Sequence, residues 1–158
     1  MKIRVGFGYD VHKFALNRDL WLGGIKIDYE KGLAGHSDAD VLVHVICDAL
    51  LGAANLRDIG YQFPDTASEF ENIDSKILLD RTVKLLVEKG YRIGNIDATI
   101  CAEYPKLNPH IPEMKAVLSK VMGIDEEDLS IKATTTEKLG FVGRQEGIAA
   151  YATVLIEK

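Results

Sequence analysis

Cysteine is scarce in this chain: its 158 residues include two, Cys47 and Cys101, each among apolar neighbours. Two cysteines cannot supply the disulfide framework of a small secreted domain. The expectation is two buried free thiols in a reducing compartment. Long apolar runs are missing as well, since no window approaches the roughly 20 residues of a membrane span. The opening MKIRVGFGYD has its apolar stretch broken by Arg4, Gly6 and Gly8, and reads as a strand rather than a secretory signal. A cytoplasmic location is the expectation. There is no basic excess: 19 Lys and Arg against 24 Asp and Glu give a net charge of −5. That argues against a nucleic-acid or anionic-membrane surface. It leaves an anionic small molecule open, because local cations or metal ions can bind phosphate within an acidic protein. Linkers, repeats and low-complexity tracts are absent too, so one domain over residues 1–158 is expected. A chain of this length buries about 70% of its unfolded surface and needs no staple.

What is present has clear periods. Ile3, Val5, Phe7 and Tyr9 alternate with polar or small residues and predict a strand. DLWLGGIKID predicts a hairpin, with Gly23-Gly24 supplying the positive φ angles of its turn. A helical pattern runs from Asp38, a candidate N-cap, to about Ala54. RDIGYQFPDTASEFEN has neither period and predicts a long loop. Asp74 then caps a helix through Glu88, with Gly90 beyond its end. A strand over RIGNIDATICAEY buries Ile96, Ala98, Ile100 and Ala102, a helix runs from His110 to Met122, and Gly123 stops it. DEED at residues 125–128 is a solvated turn, and SIKATTT and GIAAYATVLIEK are two more strands. The order, roughly β-ββ-α-α-β-α-β-β, predicts an α+β fold. Its expected form is a two-layer, ferredoxin-like sandwich, with helices on one face of a mixed four-stranded sheet plus a small hairpin.

Three of the four histidines fall in two short segments, YDVHKF and GHSDADVLVH. Asp10 and His12 lie two apart on a strand and so project to the same side. A carboxylate and an imidazole are good ligands for zinc or a similar divalent ion. A third ligand could come from His36 or His44. His44 lies within the helical pattern, whereas His36 precedes it in a loop, where a mobile side chain suits substrate contact. His44 is therefore the expected ligand and His36 the expected substrate group. Asp48, four residues on, could orient the other ring nitrogen of His44; Cys47 is a weaker rival ligand. Three protein ligands leave a position open, as in catalytic zinc sites. No H-E-x-x-H motif supports peptide hydrolysis.

A second cluster is KATTTEKLGFVGRQEG. Thr134, Thr135 and Thr136 offer hydroxyls at a strand end, and Glu137 is a hard oxygen ligand suited to magnesium or manganese. Lys132, Lys138 and Arg144 add positive charge, and no P-loop motif is present.

DVH, GHSDADVLVH, ALLGAANLRDIG, FPDT, PKLNPHIP and KATTTEKLGFVGRQEGI together resemble the 2-C-methyl-D-erythritol 2,4-cyclodiphosphate synthase family, in order and over essentially the whole chain. Ala39, where many members have glycine, and Asp28, where proline is common, depart from the pattern. The resemblance implies conversion of 4-diphosphocytidyl-2-C-methyl-D-erythritol 2-phosphate to the cyclic diphosphate, with release of CMP, in the non-mevalonate route to isoprenoids. It implies zinc on Asp10, His12 and His44, and magnesium or manganese on Glu137. His36 and Thr135 correspond to the transition-state groups. Methylerythritol contacts fall on His36, Ser37, Asp58, Ile59 and Gly60, and a phosphate loop on Phe63, Pro64, Asp65, Thr66 and Ala67. The cytidine site falls on Ala102, Pro105, Lys106, Leu107 and Asn108 with Thr134, Thr135, Thr136 and Glu137. A homotrimer with active sites between subunits is implied. Phe141 and Arg144 would then lie near a central cavity able to hold an isoprenoid diphosphate.

Overall fold

The structure, a computed structural model, describes residues 1–158. In chain order its elements are β1 (Ile3–Ala15), β2 (Leu20–Leu22), β3 (Ile25–Ile27), β4 (Gly32–Leu33), α1 (Val41–Ala53), α2 (Ile59–Gln62), α3 (Ser75–Glu88), β5 (Arg92–Cys101), α4 (Ile111–Met122), β6 (Leu129–Thr134), α5 (Gly140–Gly143) and β7 (Gly147–Glu157). The fold is α+β, with a five-stranded mixed sheet in the order β4-β1-β7-β5-β6 and a separate β2-β3 hairpin.

This differs from the expected four-stranded, ferredoxin-like sheet in two ways. Gly32–Leu33 pairs with Phe14 and Ala15 as a fifth, edge strand, too short to show a period in sequence. In addition β5 and β6 are parallel and directly adjacent, whereas a split βαβ unit would place another strand between them. The antiparallel β7 lies between β1 and β5.

The hairpin turns as expected, with Gly23 at φ 65° and Gly24 at φ 77°. The loop expected over residues 57–72 carries one helical turn, α2, capped by Asp58, and a short 3₁₀ turn at Ser68–Phe70. Asp74 caps α3, and Gly123 ends α4 in the left-handed region at φ 67°.

The N-cap of α1 is Asp40, not Asp38. Both are acids at plausible distances from the helix, so tertiary contacts decide. Asp40 is fully buried; its Oδ1 accepts from the Val43 and Gly23 amides at 3.1 and 2.9 Å, and its Oδ2 from Gly24 at 2.7 Å. One carboxylate thus caps the helix and pins the hairpin turn to it. Burial, with the nearby Asp38 charge, raises the Asp40 carboxyl despite these bonds. Between the two acids Ala39 stands at φ 60°, a conformation that costs an L-residue roughly 1–2 kcal/mol. That cost is the physical reason for glycine to be favoured there.

The β1 alternation holds, but its apolar side faces outward. Ile3, Val5, Phe7 and Tyr9 are 51%, 64%, 64% and 45% exposed, while Gly6 and Gly8 are buried. The glycines let α1 press on the strand: a Cβ at Gly8 would stand 2.4 Å from the Val45 carbonyl oxygen, and one at Gly6 1.9 Å from that of Ala49. Asp10 and His12 share the parity of Gly6 and Gly8, so they point to the side on which α1 lies. The core is a cluster of 36 buried residues between the sheet and the helices. No helix is long and apolar enough to cross a membrane. Cys47 is buried in this core as expected, whereas Cys101 is half-buried; neither forms a disulfide.

Candidate active site

The close approach of α1 to β1 brings His44 against Asp10 and His12. His12 Nε2 lies 3.1 Å from Asp10 Oδ2 and 3.1 Å from His44 Nδ1, and His44 Nδ1 lies 3.3 Å from the same Asp10 oxygen. All three ligand atoms fall within 4.8 Å of one another. The hydrogen bonds on the far sides of the rings fix what they present. His12 Nδ1 donates to the Ala34 carbonyl at 2.7 Å, leaving a lone pair on Nε2. His44 Nε2 faces the Ser75 and Ser37 hydroxyls at 2.9 and 3.1 Å. A carboxylate and two imidazole nitrogens thus converge on one point, where shared lone pairs repel unless a cation or a proton lies among them. One acidic and two nitrogen donors with this closeness suit a divalent metal ion. Cys47 is no rival: burial pushes its thiol up to about 12, and its side chain packs in the core.

Without an ion, protons take over. Burial raises the Asp10 carboxyl, but hydrogen bonds from His12 and His44 and their charges outweigh it and hold the group well below the usual carboxylate range. Burial lowers His12, yet the hydrogen bond and charge of Asp10 outweigh that and raise it above 6.5. The raised His12 value contributes stability that is complete below pH 6.5 and lost as pH rises through its folded value. The lowered Asp10 value contributes stability present above pH 3.8 and lost as pH falls through its folded value. The ion-free cluster is therefore expected to stabilise the protein most between pH 3.8 and 6.5. Melting scans of chelator-treated protein against the His12→Ala variant check this. A difference between the two that grows steadily toward pH 8 would contradict it.

The triad opens into a cleft of about 260 Å³, lined by Asp10, His12, His36, Ser37, His44, Ile59, Gly60, Phe63 and Asp65 from the sequence-derived set. Asp48, Phe70, Ile73 and Leu78 complete it. Asp48 does not orient His44 as expected; its carboxylate accepts the Ile59 amide at 2.7 Å and so anchors the start of α2. His36 is exposed, on a loop strapped by Arg18, which donates to the Gly35 and Ser37 carbonyls at 3.3 and 2.8 Å. Asp58 is exposed and does not line this cleft; it faces a neighbouring groove with Phe7, Tyr9 and Arg57, and caps α2. Pro64, Thr66 and Ala67 lie on the adjoining segment outside the cleft lining.

A second cleft, of about 210 Å³, is lined by Ala102, Pro105, Lys106, Leu107, Asn108, Ala133, Thr134 and Thr135. It gathers seven of the nine residues expected to hold cytidine, without Thr136 and Glu137. Strand pairing connects Asp10 to Ala150, Ala150 to Ile100 and Ile100 to Ala133, so the two clefts share one end of the sheet. Asp10 and Ala133 are three strand spacings apart, about 14 Å. Thr136, Glu137, Phe141 and Arg144 line neither cleft. Glu137 is not part of the ligand cluster. Arg144 forms a two-point ion pair with Glu146, at 3.0 and 3.2 Å.

Sequence reasoning gave Glu103 no role of its own. Its carboxylate accepts the Thr136 and Lys138 amides, both at 3.1 Å. These bonds hold Glu137 and Lys138 at φ 53° and 63°, where non-glycine residues are strained, and hydrogen bonds from those two amides keep the Glu103 carboxyl low. In sequence Glu103 is one polar position in an alternating strand. Its partners more than thirty residues away give no local signal.

The YgbB family model matches residues 3–157. This chain belongs to the YgbB family. A Bacteroides thetaiotaomicron relative named 2-C-methyl-D-erythritol 2,4-cyclodiphosphate synthase is 73% identical over 158 residues, spanning 100% of this chain and 99% of that protein. Among solved structures, the bifunctional IspDF of Campylobacter jejuni superposes with a TM-score of 0.94 at 44% identity. The match covers 98% of this chain and 42% of that one. The Plasmodium falciparum IspF complex with CDP gives 0.86 at 37% identity, over 98% of this chain and 95% of that one. The YgbB match spans both clefts and every element of the sheet.

Proposed function

We propose that this YgbB-family chain converts 4-diphosphocytidyl-2-C-methyl-D-erythritol 2-phosphate to 2-C-methyl-D-erythritol 2,4-cyclodiphosphate and CMP, on the non-mevalonate route to isoprenoids in the cytoplasm. The convergence of Asp10, His12 and His44 carries the reading, and the near-full-length relatives named for this synthase support it. The 2-phosphate oxygen attacks the β-phosphorus, the bond from that phosphorus to the α-phosphate oxygen breaks, and CMP leaves with that oxygen. The nucleophile is already anionic, so no activated side chain is required. What opposes reaction is repulsion between two anions. Zinc held by Asp10, His12 and His44, and magnesium or manganese held by Glu137, would supply positive charge at the phosphates.

The chain's own residues do the positioning. His36 and Thr135 offer donors from opposite clefts to the transferring phosphoryl group. Ser37, Ile59 and Gly60 border the methylerythritol, while Asp58 accepts from its hydroxyls with the oxygen its helix cap leaves available. Phe63 to Ala67 present a phosphate loop. Ala102, Pro105, Lys106, Leu107 and Asn108, with Thr134 to Glu137, enclose the cytidine. Holding the two ends of a flexible substrate together converts repulsive encounter into in-line attack.

Within one chain the clefts stay three strands apart, so we place the active site between subunits of a homotrimer. The exposed face of Ile3, Val5, Phe7, Tyr9 and Val11 on β1 supports an assembly of this kind. Tyr151 extends that face, its ring 5.1 Å from Tyr9 and 6.4 Å from Phe7. Phe141 and Arg144 would then border a central cavity suited to an isoprenoid diphosphate.

Incubation with the diphosphocytidyl substrate, zinc and magnesium in ¹⁸O-water, followed by phosphorus NMR, tests the proposal. The expected result is cyclic diphosphate and CMP, with no solvent oxygen in either. Linear phosphates carrying ¹⁸O would instead identify a hydrolase.

A further inference from the structure

We infer that Asp38 and Ser75 are positioning residues that set the tautomer of His44; the inference rests on His44 holding the ion proposed above. Ser75 opens α3 and is fully buried. Its hydroxyl lies 2.5 Å from Asp38 Oδ1 and 2.9 Å from His44 Nε2. An ionised carboxylate only accepts, so the hydroxyl hydrogen points to Asp38. The serine oxygen then has only lone pairs to offer the ring. It must accept, and the His44 proton sits on Nε2. His44 Nδ1 is thereby left with its lone pair facing Asp10 and His12, which is the form an ion requires.

The relay is itself braced. Asp38 Oδ2 accepts the Ser75 amide at 2.9 Å, and Oδ1 accepts the Asp40 amide at 3.1 Å. Ser37 Oγ, 3.1 Å from the same His44 nitrogen, accepts the Ala39 amide at 3.2 Å and stands as a second acceptor for the ring N–H. Asp38 precedes α1 and Ser75 begins α3, so the carboxylate–hydroxyl–imidazole chain ties the two helices together at the ligand. It also explains why one acid of SDAD caps the helix while the other does not: Asp40 serves the backbone, and Asp38 serves Ser75.

A hydroxyl that only packs the start of α3 would leave the ring chemistry unchanged when removed. The test therefore reads the ring and the ion, not turnover. Zinc affinity is measured by competition with a chromophoric chelator on the full-length protein and on Ser75→Ala. Histidine ¹⁵N shifts are recorded on the zinc-loaded wild type. The expected wild-type spectrum shows His44 protonated at Nε2 and bound through Nδ1. Ser75→Ala is expected to bind zinc about 10- to 100-fold more weakly. Wild-type coordination through Nε2, or a Ser75→Ala affinity equal to that of the wild type, would overturn the inference. Asp38→Ala, which frees the serine hydrogen to point at the ring, is the second variant: it too is expected to bind zinc more weakly, and an affinity equal to that of the wild type overturns the inference even if Ser75→Ala does not fold. Should the wild type itself take up no zinc at Asp10, His12 and His44, the functional reading fails and the relay with it. Wild-type binding matched by Ser75→Ala removes the relay alone.

Discussion

His12→Ala is expected to lower turnover by about a thousandfold, because an ion at a phosphate stabilises charge by several kcal/mol and each 1.36 kcal/mol is tenfold in rate. His12 is the middle member of the triad, 3.1 Å from both of its partners, so its removal leaves one carboxylate oxygen and one nitrogen to hold the ion. The fold should survive. The His12 side chain is 17% exposed at the sheet end, and it brings a lone pair into a cluster that already has two. At alkaline pH, where the ion-free cluster has lost the contribution of His12, the variant is expected to melt close to the ion-free wild type, and it is expected to purify with little zinc. Steady-state rates, metal content and melting curves taken together check this. A variant that loses zinc yet turns over within tenfold of the wild type would remove the ion from the mechanism. One that simply unfolds would make the triad structural.

The second large effect lies two residues before Asp10 on β1, in the backbone. Gly8→Ala is expected to destabilise the protein by about 3 kcal/mol, the upper part of the usual range for overpacking, because the added methyl meets backbone rather than a yielding side chain. The Val45 carbonyl oxygen would stand 2.4 Å from the new Cβ. For a domain of this size that corresponds to a fall in melting temperature of roughly 6–12 °C. The helix can escape only by moving off β1, and Val45 is the neighbour of His44. Gly8→Ala should therefore weaken zinc binding along with stability. Gly6→Ala, whose Cβ would stand 1.9 Å from the Ala49 oxygen, presses on the same helix more than one turn further from the ligand. It should cost at least as much stability and less zinc affinity. Equal melting temperatures for wild type and Gly8→Ala would contradict the close approach that assembles the triad.

The triad was legible in the sequence because it rests on two short-range rules. A strand places residues 10 and 12 on one side, and a helical pattern holds residue 44. The Gly23-Gly24 turn and the Gly123 stop were legible for the same reason: each requires a positive φ, and glycine marks it. What was not legible depends on partners distant in the chain. Asp38 and Asp40 look alike as caps until the Gly23 and Gly24 amides select Asp40. The strand at Gly32–Leu33 exists because Phe14 and Ala15 leave an edge to pair with. The alternation of β1 reveals a strand but not which side is buried; the glycines, not the apolar residues, face the helix. Glu103 and Ser75 carry no motif, and each acts on a segment more than thirty residues away. The roles of His36 and Thr135 came from family resemblance, since neither residue type nor spacing assigns a transition-state contact.

The most direct measurement is anomalous diffraction at the zinc edge from crystals of the protein soaked in zinc at neutral pH. The expected map has one strong peak per chain, in bonding contact with Asp10 Oδ2, His12 Nε2 and His44 Nδ1. A map with no peak there, or with zinc bound elsewhere while those three side chains hold one another directly, would contradict the account.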